Sequence, residues 1–435
     1  MKSFIISSNG SGKGKTTVTL GILKAFKDMG YKVQSYKVGP DYIDGNFHQH
    51  ITGVRARNLD LYLMGEDGIK ASFSRGHGDI GIIEGVMGLY DGKGISSEYS
   101  TAHVAKVLNL PVVLVLSPKA KVATICAEIN GLMNFEHVNI AGIILNNINE
   151  SYYNLLKLSI EKYCYTDVLG YVPKNQELIL KSRHLGLVQS IEIEDLDKKI
   201  ELCSQLVKKH VNMDKLFNIG VNPGNYKDDF HLDNQGLKIA VAYDKAFNFY
   251  YRENIELLEE LGEVQYFSPL KDKEIPKNVD FLYLGGGYPE VFIDELSQNK
   301  TMLNSIKVSL EAGTKCYAEC GGLMYLSESI EGKPTVGFLN GKSYMTERLQ
   351  NFGYAKINVV KENSVISKGT SINCHEFHKS SVELNENTIY QVEKDKYDGS
   401  VKQWKCGYQK KMTIATYAHV HFFGNLGMLR ELTKR

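Results

Sequence analysis

The chain has 435 residues, of which 43% are hydrophobic and 23% charged, and 51 Lys and Arg residues against 50 Asp and Glu residues give a net charge of +1. This composition is typical of a globular protein with two or three domains, and the balanced charge excludes a globally basic surface for nucleic acid. The longest apolar runs, such as Leu110–Leu116, are far shorter than the ~18 residues that a membrane span needs. The seven cysteines are scattered and odd in number, and the N-terminus does not read as a signal peptide. We therefore expect a cytoplasmic protein with reduced thiols and no membrane or nucleic-acid partner.

The first half of the chain alternates short apolar runs with amphipathic segments. The apolar runs predict buried strands at Phe4–Ser7, Val33–Lys37, Ile80–Glu84, Pro111–Ser117 and Ala141–Asn146. Helices are predicted at Thr16–Met29 and Thr101–Leu108. This alternation predicts an α/β fold with a doubly wound, mostly parallel sheet. The pattern fades before a second α/β series begins at Lys238, so we predict domains at residues 1–210 and 238–435, joined by a linker over 211–237.

A glycine-rich loop follows the first predicted strand and leads into a helix. Glycines let the backbone N–H groups of such a loop turn toward phosphate oxygens, while Lys15 would reach the terminal phosphates and the Thr16 hydroxyl would bind Mg²⁺. Asn9 replaces the first glycine of the strict motif. The predicted ATP-binding residues are Gly10, Gly12, Lys13, Gly14, Lys15, Thr16 and Thr17. Asn146, at the end of a later strand, is a candidate for the adenine edge or for a simple cap.

Carboxylates follow the second and third predicted strands. Asp41 and Asp44 come after the second strand, whereas Glu84 and Asp91 lie at and after the end of the third. Carboxyl ends of parallel strands meet at one edge of the sheet, so we predict a Mg²⁺ site formed by Thr16, Asp41 and Glu84. Asp41 and Asp91 are also candidates for catalysis, and Asp44 for substrate binding. The alternative is that these acids form turns or cap helices.

A cysteine marks a second candidate site. The predicted strand Thr314–Ala318 runs into Glu319–Gly322, a strand–turn–helix pattern with Cys320 at the turn, as in nucleophile elbows. The helix N-terminus would lower the pKa of this thiol. Backbone N–H groups would stabilise an oxyanion, and the predicted donors are Gly286, Gly287 and Gly321.

The cysteine also needs a base. His419 and His421 are two residues apart in a predicted strand, so their side chains would share a face, and one of them would activate Cys320. The alternative is a zinc site built from Cys316, Cys320 and His375 or His378. The spacing of these residues matches no familiar zinc motif, so we regard that alternative as weak.

An ATP site and a cysteine–histidine site on one chain are typical of glutamine-dependent amide ligases. The sequence resembles the cobyrinate/cobyric acid synthase group of glutamine amidotransferases from about residue 3 to 425. The matching stretches are Lys37–Asp44, Glu84–Gly88, Ser182–Leu187, Phe247–Tyr251, Leu284–Glu290, Glu319–Gly322 and His375–His378. The sequence departs from the group at Ser8 and Asn9, where Gly-Thr is frequent, and at Lys379, where Tyr is usual.

The resemblance implies an N-terminal P-loop domain similar to dethiobiotin synthetase, followed by a triad-type glutamine amidotransferase domain. It implies that Mg²⁺ is surrounded by Thr16, Asp41 and Glu84, and that Cys320 is the nucleophile with His419 as its base. The substrate-binding residues expected by resemblance are Tyr42, Ile43, Asp44 and Arg183. His421 replaces the glutamate that usually follows the catalytic histidine by two residues, which implies a dyad or a third partner from elsewhere.

The implied reaction is ATP-dependent amidation of the a and c carboxylates of cobyrinate, a tetrapyrrole polycarboxylate, in cobalamin biosynthesis. Ammonia would come from L-glutamine, and an acyl phosphate would be the intermediate. Hydrogenobyrinate or nickel sirohydrochlorin are alternative acceptors, and a monomer or homodimer is expected. A different class, the partitioning-type switch ATPase with a glutamine-sensing domain, usually has a lysine near the start of its loop, where this sequence has Gly10.

Overall fold

The computed structural model describes residues 1–178 and 196–434, and the chain folds into two compact units. The first unit consists of Met1–Leu61 and Glu66–Asp228, and the second of Tyr62–Gly65 and Asp229–Arg435. Within the described ranges, no helix is both long enough and apolar enough to cross a membrane. The predicted linker, residues 211–237, contains a helix at Met213–Ile219 in which Met213 and Leu216 are buried. The domain limits inferred from the sequence stay a prediction.

The first unit is built on a parallel sheet. Its strands are β1 (Lys2–Ser8), β2 (Val33–Val38), β3 (Arg57–Leu59), β4 (Ile80–Glu84), β5 (Val112–Leu116), β6 (Ile140–Ile148) and β7 (Asp167–Pro173). Its helices are α1 (Lys15–Asp28), α2 (Ile43–Thr52), α3 (Leu61–Ser74, interrupted at Gly65), α4 (Thr101–Val107), α5 (Ala123–Phe135), α6 (Glu150–Tyr163), α7 (Leu196–His210) and α8 (Met213–Ile219). Every residue of β4 and β5 is buried, so both faces of the sheet are covered, as the continuous apolar runs predict.

The strand order β3-β2-β4-β1-β5-β6-β7 determines which strand ends meet. β4 lies between β2 and β1, so that Glu84 at its end is in register with Lys37 on one side and Ile6 on the other. The phosphate loop after β1 therefore lies beside the carboxylates that follow β2 and β4. The short strand β3 was not predicted, and it occupies the edge of the sheet beside β2.

The second unit contains a mixed sheet. Its strands are β8 (Leu237–Ala242), β9 (Phe247–Phe249), β10 (Gly262–Phe267), β11 (Phe281–Leu284), β12 (Gly286–Gly287), β13 (Lys315–Glu319), β14 (Ser329–Ile330), β15 (Lys333–Pro334), β16 (Gly341–Val359), β17 (Ser371–Leu384), β18 (Asn387–Asp395), β19 (Val401–Lys410), β20 (Thr413–Thr416) and β21 (His419–Val420). Its helices are α9 (Arg252–Leu261), α10 (Ile293–Gln298), α11 (Lys300–Glu311), α12 (Gly321–Leu326) and α13 (Leu426–Thr433).

Two parts of this sheet have different topologies. Strands β10, β8, β11, β13 and β20 are parallel, and β13 ends at the predicted nucleophile. Strands β16–β19 form a long antiparallel extension, in which β17 also pairs with β21. The β17–β21 pairing places His375 directly opposite His419. Cys320 thus follows a strand of the parallel part, and β21, which contains His419, pairs with a strand of the antiparallel part.

Candidate functional site

The glycine-rich loop between β1 and α1 is held by side chains from two neighbouring strands. Gly14 precedes α1 in a left-handed conformation with φ 81°. The carbonyl oxygen of Lys13 accepts hydrogen bonds from Ser117 Oγ at 2.8 Å and from Asn146 Nδ2 at 3.0 Å. Asn146 Nδ2 thus supports the loop, and its predicted role at the adenine edge stays a prediction.

We expect Gly14→Ala to destabilise the first unit more than Gly12→Ala does. Both glycines have positive φ, which costs a substituted residue about 1–2 kcal/mol. A Cβ atom on Gly14 would also lie 2.1 Å from Asn146 Nδ2, whereas one on Gly12 meets nothing within 4 Å. Displacing Asn146 removes its hydrogen bond to Lys13, worth about 1 kcal/mol more. Urea unfolding of both variants measures the difference, and equal losses would contradict the role of Asn146.

A buried charge cluster lies at the ends of β2 and β4. Lys37 Nζ is 2.5 Å from Asp44 Oδ2, 3.2 Å from Glu84 Oε1 and 3.9 Å from Asp41 Oδ2. Burial disfavours the charged form of Lys37, but the three carboxylates outweigh it and raise the pKa of Lys37. Burial opposes ionisation of Glu84 too, yet Lys37 and His48 lower the pKa of Glu84. The cluster therefore holds Lys37 and Glu84 charged inside the protein.

Thr16 and Glu84 form the part of this cluster that suits a metal ion. Thr16 Oγ1 donates a hydrogen bond to Glu84 Oε1 at 2.6 Å, and His48 Nε2 lies 2.8 Å from Glu84 Oε2. Mg²⁺ prefers oxygen ligands, needs only one or two from the protein, and keeps waters or phosphates for the rest. The hydroxyl and carboxylate beside the phosphate loop fit that requirement.

Asp41 lies just before α2 and holds the first residues of this helix. Its Oδ1 accepts hydrogen bonds from the backbone N–H groups of Ile43 at 2.9 Å and Asp44 at 3.1 Å, at the start of α2. Its other oxygen faces Lys37. Asp41 thus orders the turn that leads to Asp44, and its predicted roles in metal binding and catalysis stay predictions.

Lys15 is buried at the mouth of the loop. Its Nζ donates a hydrogen bond to the carbonyl oxygen of Met87 at 3.0 Å. Burial and the neighbouring Lys37 lower the pKa of Lys15 to about 8. An anionic phosphate placed here would favour the charged form of Lys15, which is the behaviour expected of a phosphate-binding lysine.

The other predicted acids and substrate-binding residues differ from one another in burial and in hydrogen-bond partners. Asp91 is exposed, and its Oδ2 accepts a hydrogen bond from the N–H of Gly88 at 2.8 Å, as a turn-forming residue does. Asp44 is buried, and burial together with Asp41 raises the pKa of Asp44 well above its usual range, against the effect of Lys37. Ile43 is buried and Tyr42 is half-buried. Arg183 and the rest of the matching stretch Ser182–Leu187 lie outside the described residues.

The second site is an elbow between β13 and α12. Cys320 has φ 49° and ψ −100°, a conformation that few non-glycine residues adopt, and its N–H donates a hydrogen bond to Thr416 O at 2.7 Å. The following glycine is needed for close packing, because a Cβ atom on Gly321 would lie 3.1 Å from the backbone nitrogen of Gly287. A Cβ atom on Gly286 would lie 2.6 Å from His419 Cε1. The predicted oxyanion glycines thus lie close to the elbow and to His419, and their role stays a prediction.

His419 is the histidine that faces the thiol. Its ring interacts electrostatically with Cys320, and its Nδ1 lies 3.6 Å from Glu319 Oε2. Burial disfavours the imidazolium form, but Cys320 and Glu319 outweigh burial and raise the pKa of His419 to about 10. These interactions therefore favour the protonated form of the His419 ring.

The side chain of His421 faces Glu253. Its Nε2 lies 3.4 Å from Glu253 Oε2, and its Nδ1 accepts a hydrogen bond from the N–H of Phe423 at 3.3 Å. Strand β21 ends at Val420, so the two histidines do not continue one strand as the sequence predicted. The partner of His419 on the side away from Cys320 is Glu319, not His421.

The zinc alternative has no support. Over residues 1–178 and 196–434, no group of three or more His, Cys, Asp or Glu side chains could hold a metal ion. Burial raises the pKa of the Cys316 thiol, which makes this cysteine inert. His378 pairs with Glu376, and the distance between His378 Nε2 and Glu376 Oε2 is 3.1 Å.

Three residues that shape these sites were not predicted. His48 lies four residues after Asp44 on α2, so helical periodicity would have placed both on one face. Ser117 follows β5 and supports the loop, as strand ends of such sheets often do. No local pattern indicates that Glu319 lies beside His419, because triad-type sites are expected to take their carboxylate from a residue after the histidine.

Comparisons with known proteins cover both units. The model of the CobQ/CobB/MinD/ParA nucleotide binding domain matches residues 4–188, and that of the CobB/CobQ-like glutamine amidotransferase domain matches residues 238–426. A cobyrinate a,c-diamide synthase of Clostridium tetani is 63% identical and one of Clostridium acetobutylicum 62%, each covering 100% of both chains. One of Listeria innocua is 44% identical over 99% of both chains.

Proposed function

Because the chain belongs to the cobyrinate a,c-diamide synthase family, we propose that it uses ATP at one site and glutamine at the other to turn two carboxylates of cobyrinate into amides. It is a glutamine-hydrolysing ligase of cobalamin biosynthesis. The observation that carries the division of labour is that the phosphate loop with Thr16 and Glu84 lies in one compact unit and the Cys320–His419 elbow in the other.

The ligase site has to make a carboxylate reactive. A carboxylate does not react with ammonia at neutral pH, because its leaving group would be oxide. Transfer of the γ-phosphoryl group of ATP gives an acyl phosphate, and ammonia then displaces phosphate to leave the amide. Lys15 and the loop N–H groups hold the phosphates in this proposal. Thr16 and Glu84 would hold Mg²⁺, which offsets the negative charge of the phosphates when it is bound.

The glutaminase site has to release ammonia. The thiol of Cys320 gives its proton to His419, and the sulfur attacks the side-chain amide carbon of glutamine. The N–H groups of Gly287 and Gly321 stabilise the resulting oxyanion. His419 then protonates the departing ammonia, which leaves a thioester on Cys320, and water cleaves this thioester to glutamate.

The full-length relatives favour cobyrinate as acceptor over hydrogenobyrinate and nickel sirohydrochlorin, since all three cited above are named for the a,c-diamide of cobyrinate. They also disfavour a switch ATPase with a glutamine-sensing domain. The buried, unpaired cysteines suit a reducing compartment, so we place the reaction in the cytoplasm.

Mass spectrometry of the reaction product tests this function. The purified chain is incubated with cobyrinate, ATP, Mg²⁺ and glutamine labelled with ¹⁵N in its amide. We expect a mono-amide that becomes a diamide, with label in both new amides and no product when ATP is omitted. Unmodified cobyrinate beside an amidated hydrogenobyrinate control would contradict the choice of acceptor.

A further inference from the structure

We propose that Glu319, the residue directly before the nucleophile, is a positioning residue that orients His419 and balances its charge during glutamine hydrolysis. This inference rests on the proposed roles of Cys320 and His419. The carboxylate comes from the strand that carries the nucleophile, whereas triad-type sites are expected to supply it two residues after the histidine, where this chain has His421.

The Glu319 carboxylate is held in place by two donors. Its Oε1 accepts a hydrogen bond from the N–H of Val420 at 3.1 Å, and its Oε2 accepts one from the hydroxyl of Tyr283 at 3.0 Å. The side chain is 1% exposed. Val420 follows His419 in β21, so the carboxylate is tied to the strand that carries the base. A carboxylate fixed in this way can fix the orientation of a neighbouring imidazole ring.

The proposed mechanism gives the two ring nitrogens of His419 different partners. Nδ1 faces Glu319 Oε2 at 3.6 Å, and Nε2 is the nitrogen that would accept the proton of Cys320. This is the arrangement in which a carboxylate holds one nitrogen protonated and leaves the other to accept the thiol proton. A shorter contact is expected once glutamine binds, because such hydrogen bonds are often long in free enzymes.

Proton transfer from Cys320 makes His419 positive inside the protein, where an uncompensated charge is unfavourable. Among the described residues, the titratable groups that face His419 include Cys320, Glu319 and, across the β17–β21 pairing, His375. Burial and His419 lower the pKa of His375 to about 3, so His375 stays neutral. Glu319 supplies the negative charge that His375 does not.

The chain contains a matched pair for comparison. Glu253 and His421 are both buried, with 3.4 Å between Oε2 and Nε2, in the same unit as Glu319 and His419. Of these two pairs, Glu319 and His419 form the one whose histidine interacts with Cys320. Glu253→Gln therefore makes the same chemical change to a buried Glu–His pair without touching the base.

The test compares Glu319→Gln with Glu253→Gln and the unmodified chain. We expect Glu319→Gln to lower kcat for glutamine hydrolysis by about 10- to 100-fold with little change in KM, because the carboxylate acts through His419 and not on glutamine. Loss of its charge lowers the pKa of His419, so the thiolate–imidazolium pair is less stable. Alkylation of Cys320 by iodoacetamide, taken as the difference from Cys320→Ala, should slow at neutral pH and shift its acid limb to higher pH.

Controls separate this role from a structural one. Circular dichroism on heating reports whether each variant is folded, and Glu319→Asp, which keeps the charge, should recover part of kcat. A normal kcat and alkylation profile in Glu319→Gln, or equal losses in Glu253→Gln, would overturn the role of Glu319. If Cys320→Ala still hydrolysed glutamine, both the proposed function and the role of Glu319 would be contradicted. If Cys320→Ala were inactive but Glu319→Gln hydrolysed glutamine normally, only the role of Glu319 would be overturned.

Discussion

Replacing Cys320 with alanine is expected to abolish amidation driven by glutamine and to leave amidation driven by ammonium salts. In the proposed mechanism the thiol forms the thioester that releases ammonia, so without it glutamine hydrolysis should fall by about 10⁴-fold or more, as for other catalytic nucleophiles. Externally added ammonia should bypass that step, because the proposed acyl phosphate forms at the other site. Parallel assays with glutamine and with ammonium chloride, both read as amidated tetrapyrrole, measure the two routes.

Cys316→Ala is the matched control for this prediction. Cys316 lies on β13, four residues before the nucleophile, and burial raises the pKa of its thiol. Glutamine-driven amidation should survive this change. Loss of both the glutamine and the ammonium route in Cys320→Ala would contradict the assignment of ammonia release and carboxylate activation to separate sites.

Replacing Glu84 with glutamine is expected to lower ATP-dependent amidation by about 10²- to 10³-fold while glutamine hydrolysis remains measurable. The change removes the charge that faces Lys37 Nζ at 3.2 Å and accepts the Thr16 hydroxyl at 2.6 Å. It also removes the carboxylate that would hold Mg²⁺. Ammonium chloride is the preferred nitrogen source for the assay, because it makes the result independent of the glutaminase site.

The stability of this variant has to be followed alongside its activity. Breaking a buried ion pair from one side costs about 3–5 kcal/mol, although Asp44 still faces Lys37 at 2.5 Å. Circular dichroism on heating reports whether the first unit is folded at the assay temperature. Glu136→Gln is a suitable control, because its partly exposed ion pair with Lys106, at 2.6 Å, contributes about 0–1 kcal/mol. Unchanged synthesis by folded Glu84→Gln would remove Glu84 from the metal site.

Much of the first unit was predictable from local patterns. Buried parallel strands carry unbroken apolar residues, and helices cover both faces, so β4 and β5 were recognisable one by one. The loop before α1 and the elbow at Cys320 were recognisable as well. Their glycines stand where the backbone needs a conformation that other residues rarely adopt, such as φ 81° at Gly14.

The antiparallel strands of the second unit were not predicted. In β17 the buried positions include Glu376, His378 and Ser380, so the strand lacks the apolar alternation that identifies a half-buried strand. These polar groups are buried because they find partners: Trp404 Nε1 donates to Glu376 at 3.1 Å, and His378 Nδ1 lies 2.9 Å from the carbonyl oxygen of Ser380. The strand is therefore stabilised by side-chain partners that no local pattern reveals.

Residue type and local spacing were enough to identify the residues at strand ends, in the phosphate loop and at the elbow. The partners of these residues depend on the folded chain. Thr16 meets Glu84 because β4 lies beside β1, and Glu319 meets His419 because β13 and β21 come together, across separations of 68 and 100 residues. Such pairs depend on strand order and register, which the packing of the whole unit sets and no short stretch of sequence contains.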